Sequence, residues 1–327
     1  MVFPSMDRAL DDPLRAVAAR FHPGPQASAL PPGLDRIRAI CEAEGGFWLE
    51  TDHHVLCYRP GRDRLIVSFD NLSSDRETSF RKPFGHDLMV AQGWGNLGVI
   101  VKRKDWFQCP QLKAAMVAVA EAGLYARYPG VSLYGSSMGA FGAALFAGLA
   151  PGAVVLAFAP QSTLRPKLVP FETRYRYGRG LGDWSGDFTD AARSIRTASR
   201  AYVLYDPCLE QDRLHAARLT GPNVLHIPLP HFDHKLPPML LRMGILKEFT
   251  LLALRGELDL AQARRMLRRR RDAIPYVLSL LAAAQARGHA RLALKAAESV
   301  AKRVDNHRLK ALRKDLAQAI RPGPATA

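Results

Sequence analysis

The sequence predicts an α/β chain built on a mostly parallel sheet with helices on both faces. Three observations predict it. Six short apolar runs recur along the chain without polar alternation, which is how strands read when both sheet faces are covered. Most of these runs are followed by segments of helical composition, the rhythm of strand–helix–strand units. With 48% hydrophobic residues in 327, the chain can bury one sizeable core, which excludes disorder for most of it.

Residues 1–33 are rich in Pro, Ala and Gly (HPGPQASALPPG) and are expected to form a flexible arm. A short helix is expected over 34–44, closed by Gly45 and Gly46. Two β-runs follow, 47–51 and 55–58, separated by a turn at Asp52, His53 and His54, and they would supply an antiparallel edge. The turn at 60–63 (PGRD) leads into the six apolar strands, at 65–69 (LIVSF), 97–101 (LGVIV), 131–134, 154–158 (VVLAF), 201–205 (AYVLY) and 224–227. Helices are expected over 111–127, 140–149, 212–219 and 237–254.

The interval 162–200 breaks this rhythm. It holds RPKLVPFETRYRYGRGLGDWSGDF, is too long for an ordinary connection, and reads as an insertion over the active site, a lid. Its Arg174, Arg176, Arg179, Tyr175 and Tyr177 are placed for substrate recognition or for an amphipathic cover. Past residue 254, Ala-, Leu- and Arg-rich segments at 257–270, 274–287, 289–303 and 306–320 read as a helical appendage of two helix pairs. The expected organisation is an arm (1–33), an α/β domain (34–254), a basic helical appendage (255–321) and a disordered tail (322–327).

The chemistry concentrates in VSLYGSSMGAFGAAL, residues 131–145. Gly135-Ser136-Ser137-Met138-Gly139 follows an apolar strand and precedes a helix of small residues, the context of a nucleophile elbow. There the glycines spare a crowded, strained backbone any side-chain clash. Ser137 is the expected nucleophile, and a serine hydroxyl needs a base within reach. In VLHIPLPHFDHKLPPML, His226 lies within a strand and reads as structural. His234 is favoured as the base because it directly precedes the last helix, with His231 the alternative. For the acid, Asp206 at the end of AYVLYD is favoured, and Pro207 turns the chain away after it. Asp212 is the alternative, reading equally well as a helix N-cap.

This ordered set of strand, elbow, acid and His resembles the α/β-hydrolase superfamily over roughly residues 45–250. The resemblance implies an α/β-hydrolase-like sheet and the chain order Ser, acid, His. It also implies an oxyanion site formed by the backbone N–H of Met138 and one from the loop SFDNLSSDRE, where Asn71 and Leu72 are the candidates. That loop departs from the His-Gly-Gly-Gly pattern of lipases and esterases, which argues against a large lipid ester. SFDNLSS, YGSSMGAFGA, FAPQST and YDPCLEQD further resemble a bacterial group of hydrolase-like proteins similar to the accessory-secretion glycan O-acetyltransferase. The expected activity is a serine hydrolase acting on an ester or related acyl bond through an acyl-enzyme. An acyltransferase to a glycan hydroxyl and a catalytically silent binding module are the alternatives.

Charge is unevenly spread. Residues 251–327 carry 17 Lys or Arg against 6 Asp or Glu, 11 of the formal +16. The run Arg264, Arg265, Arg268, Arg269, Arg270 and Arg271 wraps around much of a helix. It suits a solvated face, an acidic protein partner or an anionic surface, and no standard nucleic-acid motif accompanies it. Lys102, Arg103 and Lys104 read as a solvated loop, and Trp106 and Phe107 as pocket or packing residues. Cys41, Cys57, Cys109 and Cys208 are too far apart for a zinc or disulfide pattern, so neither metal nor organic cofactor is expected. No membrane-spanning run or secretion signal is read, and the expected location is cytoplasmic.

Overall fold

The computed structural model describes residues 12–72 and 79–320. Eight strands form one sheet: β1 (Phe47–Glu50), β2 (His54–Arg59), β3 (Arg62–Phe69), β4 (Trp94–Val101), β5 (Gly130–Ser136), β6 (Val154–Phe158), β7 (Arg200–Tyr205) and β8 (Val224–Pro228). Their order is β1-β2-β4-β3-β5-β6-β7-β8; the β1–β2 and β2–β4 pairings are antiparallel and the other five parallel. This is an α/β-hydrolase-like fold.

Strand side chains alternate between two cores, as a period of two residues requires. Leu65, Val67 and Phe69 of β3 and Val155 and Ala157 of β6 face one cluster. Ile66, Leu156 and Phe158 face the other. The first face is covered by α1 (Asp12–Arg20), α4 (Pro110–Glu121) and α5 (Met138–Leu145). The second is covered by α3 (His86–Gln92), α9 (Leu236–Arg242) and α10 (Leu246–Arg255). A third, smaller cluster seats α2 (Asp35–Ala43) on β2 through Ile37, Cys41, Val55 and Cys57.

Several elements depart from the sequence expectation. Residues 12–20, expected within a loose arm, form α1, because Leu14 and Val17 lie one helical turn apart and are both buried. Residues 1–11 of that arm and the tail 322–327 lie outside the described residues. The single helix expected over 237–254 is split into α9 and α10 by Gly244, whose φ of 67° favours glycine. Helix α3 was not expected from the sequence.

The insertion at 162–200 is mostly irregular, with α6 (Arg176–Leu181) and α7 (Ala191–Ser194). Helix α8 (Glu210–Arg218) follows β7. The basic region forms α11 (Leu260–Leu267), a 3₁₀ turn (Arg268–Asp272), α12 (Ile274–Ala286), α13 (Ala290–Ala301) and α14 (His307–Ala319). Leu267, Tyr276, Leu281, Ala297 and Leu316 belong to the same buried cluster as the second sheet face. The Tyr202 hydroxyl of β7 donates to the Leu258 carbonyl at 2.9 Å, tying the sheet to the start of this region. Among the described residues, no helix is long and apolar enough to cross a membrane.

Candidate active site

Strand β5 ends at Ser136, α5 begins at Met138, and Ser137 turns the chain between them with φ 55° and ψ −119°. For a non-glycine residue this is a strained conformation, costing about 1–3 kcal/mol. It is held by the Ser137 N–H donating to the Phe158 carbonyl at 2.8 Å. The flanking glycines have a measurable reason. A Cβ on Gly135 would meet the Gly139 carbonyl carbon and oxygen at 2.2 Å, and a Cβ on Gly139 would meet the Phe69 carbonyl oxygen at 2.4 Å. The elbow therefore packs directly on the backbone at the end of β3, and the next residues, Asn71 and Leu72, come to line the same cavity as Ser137.

His234 lies in the loop between β8 and α9. Its Nε2 is 2.8 Å from the Ser137 hydroxyl and its Nδ1 2.7 Å from Asp212 Oδ2. With the proton on Nδ1 donated to the carboxylate, Nε2 is left to accept from the hydroxyl. His231 points elsewhere: its Nδ1 is 3.9 Å from Cys208 Sγ, and its ring meets the edge of Tyr276.

The favoured acid, Asp206, does not meet His234; the alternative, Asp212, does. Its Oδ1 accepts from the backbone N–H of Cys208 at 2.8 Å and of His231 at 3.2 Å, and its Oδ2 from Asp233 at 2.8 Å. The turn after β7 closes on this side chain, as short acidic side chains do at turns, and both its oxygens accept from backbone. It thereby clamps the loop that carries His234, where His231 and Asp233 both hold positive φ. Asp212, expected as an alternative N-cap, sits instead within the first turn of α8, after the cap residue Leu209. It is 2% exposed.

Asp212 Oδ1 also receives Arg174 Nη1 at 2.7 Å. Arg174 comes from the insertion and simultaneously grips Glu172 through Nε at 3.1 Å and Nη2 at 2.6 Å. Glu172 Oε2 meets His215 Nε2 at 3.0 Å, and His215 Nδ1 meets the Ser162 hydroxyl at 3.0 Å. Burial alone would push the Glu172 carboxyl up, but the hydrogen bonds from His215 and Arg174 outweigh it and hold it down at about 2. Asp212 follows the same pattern: burial opposes its charge, and His234 and Arg174 together hold it below the usual carboxylate range. Burial keeps His215 below its ordinary value.

Sequence reasoning placed Arg174 among recognition residues and missed its partner. It missed Glu172, Ser162 and His215 altogether, since nothing in their spacing announces contacts made across 38 or more residues.

Ser137 and His234 open on a cavity of about 480 Å³. Its walls are largely apolar, with Leu72, Phe84, Tyr175, Pro237 and Leu241, and Lys235 lies at its edge. Trp106 packs beneath the insertion rather than lining this cavity: its indole N–H donates to Gln161 at 3.1 Å and its ring lies 4.8 Å from that of Tyr175. Lys102, expected as a solvated loop residue, has a buried side chain paired with Glu50 at 2.8 Å.

No protein-family model matches the chain, and no curated protein is significantly similar to it. Solved structures are similar at low identity. The capsule O-acetyltransferase of Neisseria meningitidis serogroup A is 13% identical, over 64% of this chain and 93% of that one, with a TM-score of 0.43. An esterase of Pyrococcus furiosus is 15% identical, over 62% and 87%, with a TM-score of 0.38. The Mycobacterium tuberculosis protein MPT51 is 14% identical, over 62% and 93%, also with a TM-score of 0.38.

Proposed function

We propose that this protein is a serine acyl-transfer enzyme that cleaves an ester or related acyl bond through Ser137, His234 and Asp212. The observation that carries the reading is the pair of short contacts made by one imidazole, 2.8 Å to the Ser137 hydroxyl and 2.7 Å to Asp212. That arrangement meets the requirement for a nucleophile, a base and a group that orients the base.

In this reading Ser137 Oγ attacks the substrate carbonyl while His234 Nε2 takes its proton. Asp212 keeps Nδ1 protonated and stabilises the imidazolium that forms. The backbone N–H of Met138, in the first turn of α5 where N–H groups lack intrahelical acceptors, faces the developing oxyanion together with that of Asn71 or Leu72. Collapse of the tetrahedral species passes the proton from His234 to the leaving oxygen. Water, or an acceptor hydroxyl in a transferase reaction, then attacks the acyl-enzyme with His234 again as base, and Ser137 is released. A cavity of about 480 Å³ with apolar walls suits an acyl or alcohol group of moderate size.

Labelling with a fluorophosphonate, read by intact mass, tests the proposal. One adduct is expected on the wild-type protein, absent in Ser137→Ala and His234→Ala and retained in His231→Ala. No adduct on the wild type would favour the silent binding module.

Two further readings accompany it. The wide spacing of Cys41, Cys57, Cys109 and Cys208 along the chain suits a reducing compartment such as the cytoplasm. Arg264, Arg265, Arg268, Arg269 and Arg271 are exposed, while Arg270 stacks over Tyr276, so an anionic partner could be met along this ridge.

A further inference from the structure

The geometry points to Arg174 as a positioning residue through which the 162–200 insertion orients the active-site carboxylate and sets the pH range in which His234 acts as a base. The inference rests on the proposed roles of Ser137, His234 and Asp212.

Asp212 has two carboxylate oxygens and divides them. Oδ2 takes His234 Nδ1 and Oδ1 takes Arg174 Nη1, each at 2.7 Å. A carboxylate held at both oxygens cannot rotate about its terminal bond, so the angle it presents to the imidazole is fixed. Arg174 is itself locked, because its Nε and Nη2 engage Glu172 in a fork, and its guanidinium lies 5.0 Å from the centre of the Tyr175 ring. Glu172 in turn is only 5% exposed and anchored by His215. The insertion thus reaches the proposed catalytic centre through a partly exposed arginine held between two buried carboxylates, Glu172 and Asp212. Tyr175, next in sequence to Arg174, forms part of the cavity wall. Substrate packing on Tyr175 therefore bears on the residue that holds the acid.

The charges have definite consequences. Asp212 faces His234 from the loop before α9 and Arg174 from the insertion, with His215 one turn further along α8. Glu172 stands behind Arg174, and Asp233 and Lys235 are exposed neighbours of His234. The guanidinium cancels part of the Asp212 charge that the imidazolium would otherwise feel. Removing it favours the imidazolium and moves the acid limb of reaction to higher pH. Removing the negative charge of Glu172 leaves Arg174 less compensated and moves the limb the other way. A role confined to holding the fold together predicts no such opposed pair.

The test is the fluorophosphonate labelling rate of Ser137 as a function of pH, together with titration of the His234 ring followed by NMR on histidine-labelled protein. Arg174→Gln is expected to slow labelling at least tenfold and shift the acid limb and the His234 titration upward. Glu172→Gln is expected to shift both downward. Arg174→Lys is expected to restore the midpoint but not the full rate, since lysine keeps the charge and loses the fork. Unchanged midpoints in Arg174→Gln and Glu172→Gln, or shifts of the same sign, would overturn the inference. If Arg174→Gln does not fold, Arg174→Lys and Glu172→Gln decide: a wild-type profile in both overturns it. If wild type is not labelled at any pH, the proposed reaction fails, and the NMR titrations still decide whether Arg174 sets the field at His234.

Discussion

The Nε2 of His234 lies 2.8 Å from the hydroxyl of Ser137, a residue 97 positions earlier in the chain. The distance is maintained from both sides: a tight turn between β5 and α5 fixes the serine, and Asp206 fixes the loop that delivers the histidine. Two carboxylates six residues apart in sequence thus divide the work of placing one imidazole, Asp206 through its backbone and Asp212 through its ring.

Substituting these two carboxylates separates their roles. Asp212→Asn is expected to lower the turnover of an ester substrate by about 10⁴-fold, because it loses the anion that keeps Nδ1 protonated, and to lose some stability as well, because Arg174 loses a charged partner. Asp206→Ala is expected to lose about 3 kcal/mol of stability, because three backbone N–H groups lose their buried acceptor. Denaturant unfolding and steady-state kinetics on both variants check the division. Equal losses of turnover with equal stabilities would refute it.

Gly139→Ala adds a methyl group 2.4 Å from the Phe69 carbonyl oxygen, and neither main chain can yield without disturbing the elbow. A loss of about 3 kcal/mol, with labelling of Ser137 suppressed in whatever folds, is expected. Gly148→Ala is the control, since its added Cβ would find its nearest neighbour at 3.6 Å. The two thermal melts, run side by side, give the comparison.

Acid should release the insertion. Glu172 is held at about 2 in the folded protein against 4.5 for the ordinary group. A lowered carboxyl contributes stability that is present above 4.5 and is lost as pH falls toward 2, here on the order of 3 kcal/mol. Unfolding free energies measured from pH 6 down to pH 2.5 should therefore fall more steeply for wild type than for Glu172→Gln. Parallel curves would mean that the carboxyl is not held down.

Arg264, Arg265, Arg268 and Arg269 are solvent-exposed. Replacing all four with Gln should leave the fold intact and lower retention on heparin, with the slope of log affinity against log salt falling by about one for each arginine that made a contact. Binding with an unaltered salt slope would move the anion-binding surface elsewhere.

The sheet was legible in the sequence because buried parallel strands are written as short apolar runs: β3 to β8 lie where the six such runs were read, and β1 and β2 at the two β-runs before them. The approach of His234 to Ser137 was foreseeable because a strained turn and a polar loop between a strand and a helix leave local marks. The sequence does not separate Asp206 from Asp212 as partners of His234, for a physical reason. Both follow the same strand, and which carboxylate faces the imidazole depends on the direction α8 leaves the sheet and on an arginine 38 residues upstream. Helix α1 was obscured by the Pro- and Gly-rich residues beside it, although Leu14 and Val17 carry the spacing of a buried helical face.

The cluster joining the second sheet face to the C-terminal helices bears on how the protein is made. Ile66, Leu156 and Phe158 enter the sheet early in synthesis, but the side chains that cover them arrive with α9, α10 and the helices after them. A nascent chain displaying the complete elbow would still expose one bare apolar face, so α9, α10 and the helices after them must be made before that face of the sheet can close against water.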